Sequence, residues 1–215
     1  MTVAVIADIV GSRRMPDRSG AQRALESAIA RVERDLPLAR EPLSPTVGDE
    51  LQGVYHALPD ALGSLLLLQL ALPDGVECRF GVGIGEIGPV ASSAATLSDG
   101  AGWWSARAAI DTVHRLQKRT APNARTWIVA SPEQDDTMRP SVDLANAYVL
   151  ARDQLVTAMN ERARRLTYGR CLGASQAALA KEEGVTQPAV SQALATAGAS
   201  AVVEGFLALR AGRTA

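Results

Sequence analysis

The chain reads as a mixed α/β fold followed by an all-α helical domain, and three observations carry that reading. Short apolar runs rich in β-branched residues alternate with helix-period patterns over roughly the first 130 residues, beginning βααββαβ. From Ala145 onward only helical periodicity remains. Within that stretch, Ser175 to Leu194 (SQAALAKEEGVTQPAVSQAL) has the residue spacing of a helix-turn-helix.

Val3 to Ile9 is the first expected strand, apolar enough for the centre of a sheet. A loop, Val10 to Arg14, leads into a helix marked by Leu25, Ala28, Ile29, Val32 and Leu36, closed by Pro37. Leu43 to Val54 reads as two short strands around a turn at Gly48-Asp49. Leu58 to Leu72 is apolar almost all round, the mark of a buried helix, and its Ser64 to Leu72 run is too short to span a bilayer. In Cys78 to Gly85, Phe80, Val82 and Ile84 alternate with Arg79, Gly81, Gly83 and Gly85. A strand face stripped to glycine implies close approach of another backbone or a ligand. Trp103 to Lys118 reads as a helix and Thr126 to Ala130 as a strand. Pro132 to Pro140 is charged and turn-rich, which places a boundary between a domain at 1–135 and a helical one at 141–215. Ala145 to Leu166 reads as one long helix carrying Arg152, Arg162, Arg164 and Arg165, and Ala199 to Leu209 as a last apolar helix.

With 47% hydrophobic and 21% charged residues, the composition is that of a globular protein, and a net charge of −1 argues against indiscriminate nucleic-acid binding. The charge is unevenly spread. From Ala151 on there are eight Lys/Arg against five Asp/Glu, an excess of +3, while the rest carries −4. Cys78 and Cys171 have no metal-ligand spacing and read as buried thiols in a reducing compartment. His56 and His114 read as structural or exposed residues. Thr2 to Val10 reads as a strand rather than a secretion signal, so a cytoplasmic protein with no membrane partner is expected.

Two features point to chemistry. Asp8 ends the first strand, and Asp49 and Glu50 occupy the turn of a hairpin expected to pair beside it. Carboxylates facing each other across strands repel unless a cation or proton lies between them, and oxygen donors favour Mg²⁺ accompanied by phosphate. Gly11-Ser12-Arg13 is expected to open the first helix with amides aimed at such phosphates. The second feature is the 175–196 hairpin. Ala180 is small where two helices cross, Gly184 suits a positive-φ turn, and Leu179, Val185, Val190 and Leu194 supply a core. Thr186 is the expected N-cap, with Pro188 in the first turn. That leaves Thr186, Gln187, Ala189, Ser191 and Gln192 to meet base edges, with Arg165 nearby for phosphate.

ADIVGSR (Ala7 to Arg13), VGDELQGVY (Val47 to Tyr55) and RFGVGIGEI (Arg79 to Ile87) resemble, in order and spacing, segments of class III nucleotide cyclases and, more loosely, of GGDEF diguanylate cyclases. The chain as a whole resembles the SatD family, which pairs such an N-terminal pattern with a C-terminal helix-turn-helix. The resemblance implies a ferredoxin-like, cyclase-type palm with Mg²⁺ at Asp8 and Asp49. It implies a nucleotide or other phosphorylated ligand on Ile9, Val10, Gly11, Ser12 and Arg13, with Glu50 and Arg107 beside it. Two departures count against turnover. Pro45 stands where a purine-reading cyclase tends to carry lysine, and, aligned on GWWSARAA with Arg107 as the arginine, Trp103 replaces the asparagine that steadies the reacting phosphate. Loss of such a contact costs on the order of a hundredfold in rate. Trp103 or Trp104 is then a candidate to stack on a base, or an ordinary hydrophobic contact.

The expected function is therefore a DNA-binding transcriptional regulator that senses a phosphorylated ligand. It is expected as a homodimer, because one short recognition helix gives little affinity and the Ala199 to Leu209 helix needs a surface, its own chain or a partner. A divergent metal-dependent cyclase or phosphotransferase, and a module for protein contacts alone, are the alternatives.

Overall fold

A computed structural model describes residues 2–46, 50–91 and 96–211. Five strands form the main sheet. β1 (Val3–Ile9) is central, between β3 (Glu50–Tyr55) and β4 (Cys78–Ile84). β2 (Ala39–Pro45) lies outside β3, and β7 (Thr126–Ala130) lies outside β4. All neighbours are antiparallel except β4 and β7. β5 (Gly88–Ala91) and β6 (Thr96–Asp99) form a separate ribbon. The helices are α1 (Arg18–Asp35), α2 (Leu58–Ala71), α3 (Ala101–Arg119), α4 (Asp135–Ala158), α5 (Glu161–Cys171), α6 (Gln176–Glu182), α7 (Gln187–Thr196) and α8 (Ala199–Ala211). The mixed α/β order with a C-terminal helical part is the one expected. Of the two helical pieces before β2, the first is a single 3₁₀ turn, Ser12–Arg14.

Alternation along β1 sorts the core. Val3, Val5, Ala7 and Ile9 face the large cluster with α1 and α2, while Ala4 and Ile6 face a small one with Trp103, Ala106 and Ile110 of α3. The glycines of β4 let α3 come that close. A Cβ on Gly81 would overlap the Ala106 carbonyl, one on Gly83 the Gly102 carbonyl, and one on Gly85 would lie 2.7 Å from Gly102 N. The approaching group is a helix backbone, not a ligand.

α2 is apolar all round because it is covered all round. From Leu58 to Leu70 every described residue except Pro59 is buried, with the sheet and α1 on one side and α5 and α8 on the other. Phe206 of α8 lies against Gly63, so the last helix folds back on its own chain.

Among the described residues β7 ends the sheet, and α4 supplies polar groups at its outer edge. Asn146 accepts from Ile128 N at 2.8 Å and donates to Ile128 O at 3.0 Å. Asp153 accepts from Arg125 N and Thr126 N, both at 2.7 Å. Arg152, Gln69 and Thr126 close this buried network. An exposed edge is thereby capped by side chains.

Two expectations fail here. Residues 135–140 of the supposed connector are the first turns of α4, with Pro140 inside the helix, and α4 packs directly on β7. The expected long helix Ala145 to Leu166 is broken at Met159, which is extended, and Asn160 N-caps α5 by accepting from Ala163 N at 2.9 Å. Beyond α5, α6 and α7 meet at Gly184, whose φ of +65° lets Val185 N reach Ala180 O at 2.9 Å. Among the described residues no single helix is long and apolar enough to cross a membrane. α7 and α8 reach that length only together, across a bend of 82°.

Candidate functional site

The register places Asp8 directly between Glu50 on β3 and Arg79 on β4. All three lie on the α3 side, since Asp8 shares a face with Ala4 and Ile6. Like charges opposite one another on paired strands destabilise the sheet, so each carboxylate needs a cation. Arginines supply them. Arg79 grips Asp8 with two parallel bonds, Nε to Oδ1 at 2.7 Å and Nη2 to Oδ2 at 3.0 Å. Arg107, from α3, reaches Glu50 Oε2 at 2.5 Å, and Gln52 donates to the other oxygen at 3.2 Å. The Arg79–Asp8 pair is mostly shielded, with side chains 13% and 29% exposed; Arg107 is 51% exposed and contributes little as an ion pair. On the same helix, partial burial and then the nearby Arg79 and Lys118 charges hold His114 below its usual value. His114 and His56 are both exposed.

Asp49, the second expected metal ligand, lies outside the described residues. Among the described residues no group of three or more His, Cys, Asp or Glu can hold a metal. Asp8 presents both oxygens to Arg79, so a divalent cation has to displace a bidentate guanidinium to reach it. As described, Asp8 and Glu50 are each answered by an arginine.

The phosphate loop also departs from expectation. α1 begins at Arg18, and its N-terminus is already capped by Asp17, which accepts from Gly20 N at 2.7 Å. Gly11, with φ of +71°, leads instead into the 3₁₀ turn, closed by Arg14 N to Gly11 O at 2.8 Å. Ile9 is a buried strand residue, Val10 N is spent on Glu77 O at 2.8 Å, and Ser12 is buried. Arg13 is exposed and Gly11 half-buried.

The tryptophans part company. Trp103 belongs to the small core beneath α3 and is not available to a base. Trp104 is 66% exposed on an open cleft of about 620 Å³ with Glu86, Asp99, Ser131 and Glu133. That cleft adjoins the Gly85 end of β4, whereas Asp8 pairs near its Cys78 end, so Trp104 cannot stack on a ligand held at Asp8. Pro45 ends β2, exposed and paired with Leu51.

At the other candidate surface, Val190 and Leu194 are buried while Thr186, Gln187, Ala189, Ser191 and Gln192 are all exposed. Thr186 caps α7 by accepting from Ala189 N at 3.4 Å. Arg165 is bound to Glu183 at 2.9 and 3.0 Å and to Glu161 at 2.8 Å, so its charge is already answered. Arg162 lines an open cleft with Asn160 and, from α7, Gln192 and Thr196. Its Nε pairs with Glu183 Oε2 at 3.8 Å, beyond hydrogen-bond reach, and neither Nε nor Nη2 has a hydrogen-bond acceptor. Two residues were therefore missed in the sequence. Arg79 was signalled by its place on the glycine face opposite an acidic strand end, and Arg162 only by the helix break before Asn160.

A bacterial light-regulated adenylyl cyclase matches 56% of this chain and 71% of its own at 12% identity, with a TM-score of 0.42. The guanylyl cyclase Cya2 matches 63% and 76% at 15% identity and 0.40. A guanylyl cyclase domain from the aquatic fungus Blastocladiella emersonii matches 65% and 83% at 13% identity and 0.38. Overlaps this loose carry no argument about chemistry. No curated protein matches the sequence. A family match is decisive where these are not: the SatD family model covers residues 2–160, most of the chain, and this protein belongs to the SatD family.

Proposed function

We propose that this protein is a DNA-binding transcriptional regulator whose N-terminal part holds a nucleotide or other phosphorylated ligand without efficient turnover. The observation that carries the reading is the division of α7. Its branched residues Val190 and Leu194 are buried, and its first turns present a capped helix start with Gln187, Ala189, Ser191 and Gln192 in solvent. Such a helix start suits the major groove. Arg162, beside Gln192, and Arg165 share Glu183 as their counter-charge, so each meets a phosphate on releasing that carboxylate. Since Lys181 is outnumbered by Glu182 and Glu183 on the hairpin, binding is selective and weakly salt-dependent, and a dimer supplies the affinity. On the ligand side, exposed Arg13 is a cation for phosphate and Arg107 becomes one on releasing Glu50, while the arginine-locked Asp8 together with the buried Trp103 argues against turnover.

Selection of genomic fragments by the full chain, followed by fluorescence anisotropy, tests the DNA reading. A selected duplex bound at least tenfold more tightly than a scrambled one, with the preference lost in Gln187→Ala/Gln192→Ala, is the expected result. Equal binding to all duplexes, or none, refutes it. The second reading, a metal-dependent cyclase or phosphotransferase, is favoured by the strand-end position of Asp8 beside the hairpin that carries Asp49. Mg²⁺-dependent consumption of a nucleoside triphosphate, lost in Asp8→Asn, would establish it instead.

A further inference from the structure

We propose a second anion site, for a compact phosphate or phosphate monoester, between Arg125 and Arg164 on the α2–α4 side of the sheet. A cavity of about 210 Å³ opens there, where β4 and β7 begin and α4 gives way to α5. Its floor is made by Gln69, Leu72 and Val156. The two guanidiniums come from different elements and are nearly sequestered, with side chains 8% and 12% exposed. Backbone carbonyls hold them in place. Arg125 Nη1 donates to Pro122 O at 2.8 Å and Ala124 O at 3.0 Å. Arg164 donates to Met159 O at 2.9 Å and Leu72 O at 3.3 Å.

Their acidic partners are held quite differently. Glu77 meets Arg125 at 2.6 Å and Asp74 meets Arg164 at 2.7 Å, yet both acids belong to the α2–β4 loop and are 46% and 68% exposed. These carboxylates can swing into water at little cost, whereas the cations cannot follow. Arg164 Nε is buried with no acceptor at all, a deficit that a buried guanidinium does not normally carry. Phosphate oxygens accept from arginine in the paired geometry that Nε and Nη offer together. The volume is several times the roughly 30 Å³ share of one water molecule and accommodates one phosphoryl group with a small substituent. Because Arg164 also holds Met159, at the break between α4 and α5, an occupant stiffens the joint that carries α6 and α7.

The site is independent of the Asp8 ligand, and the test separates them. The full chain is titrated with orthophosphate and with a nucleoside monophosphate at constant ionic strength, following heat of binding and thermal midpoint. Saturable binding is expected in the native chain, several-fold tighter binding in Asp74→Asn, which removes the competing carboxylate, and loss of binding in Arg164→Gln. Tighter binding of the monophosphate assigns the site to an ester, equal binding to free phosphate, and either supports the proposal. Binding that survives Arg164→Gln, or is lost in Asp8→Asn instead, overturns it. Should Arg164→Gln fail to fold, Asp74→Asn decides alone, since it alters only an exposed loop residue: no gain in phosphate affinity overturns the proposal.

Discussion

Truncating Asp153 to alanine should cost more than removing the arginine beside it. The carboxylate is fully buried, with one oxygen accepting the Arg125 and Thr126 amides and the other accepting Arg152 at 2.7 Å and Gln69 at 3.2 Å. Asp153→Ala leaves a guanidinium that is 1% exposed without its counter-charge and strips the edge of β7 of its acceptor. Breaking a buried pair from one side costs about 3–5 kcal/mol, and the orphaned amides push the value to the upper end. Arg152→Met also breaks the pair from one side, but it keeps three of Asp153's donors and fills the space with apolar atoms, so its cost lies at the lower end of that range, about 3 kcal/mol. Urea unfolding followed by tryptophan fluorescence and circular dichroism measures both, with unchanged slopes required for the comparison. A cost below about 1 kcal/mol for Asp153→Ala, or a larger cost for Arg152→Met, would refute the idea that this carboxylate organises the edge.

Gly83→Ala should destabilise by about 1–3 kcal/mol or more, because its Cβ overlaps the Gly102 carbonyl; a neutral result in the same urea assay would mean α3 is not seated on β4 as described. Trp103→Ala should cost about 3–5 kcal/mol and Trp104→Ala less than about 0.5 kcal/mol, a contrast that thermal midpoints read directly. The hydrogen bond from Arg165, then its charge, holds the Glu183 carboxyl below its usual value near 4.5. That stabilisation is present above pH 4.5 and is lost as pH falls through the lower folded value, so the urea midpoint of the native chain should drop more steeply there than that of Arg165→Gln. Burial pushes the Cys171 thiol up to about 12 and raises Cys78 further, so a thiol reagent should label both only at the rate of unfolding.

Much of the fold was legible because its signals are local. The alternation of β4, the all-round apolarity of α2 and the Gly184 turn each follow from a short stretch read alone. The break at Met159 was also written locally, as Asn160 followed by Glu161, but the apolar period runs through it and masks it. Residues 135–140 misled because proline and charge there start a helix rather than a run of turns. The candidate site was half legible. The need for a cation between Asp8 and Glu50 follows from charge alone, but that the cation is Arg79 depends on a register between residues 71 apart. Long-range partners of this kind are what the sequence order conceals.

The enclosure of α2 bears on how this protein breathes. A helix with no water-facing side has no route to solvent except through its neighbours, so its amides exchange with water only when the sheet and α5 and α8 separate together. α6 and the first turns of α7, which rest on fewer buried residues, are free to open alone. A ligand held at Asp8 therefore slows exchange along α2 by the stability it adds to the sheet, while leaving α6 and the start of α7 as quick to exchange as before.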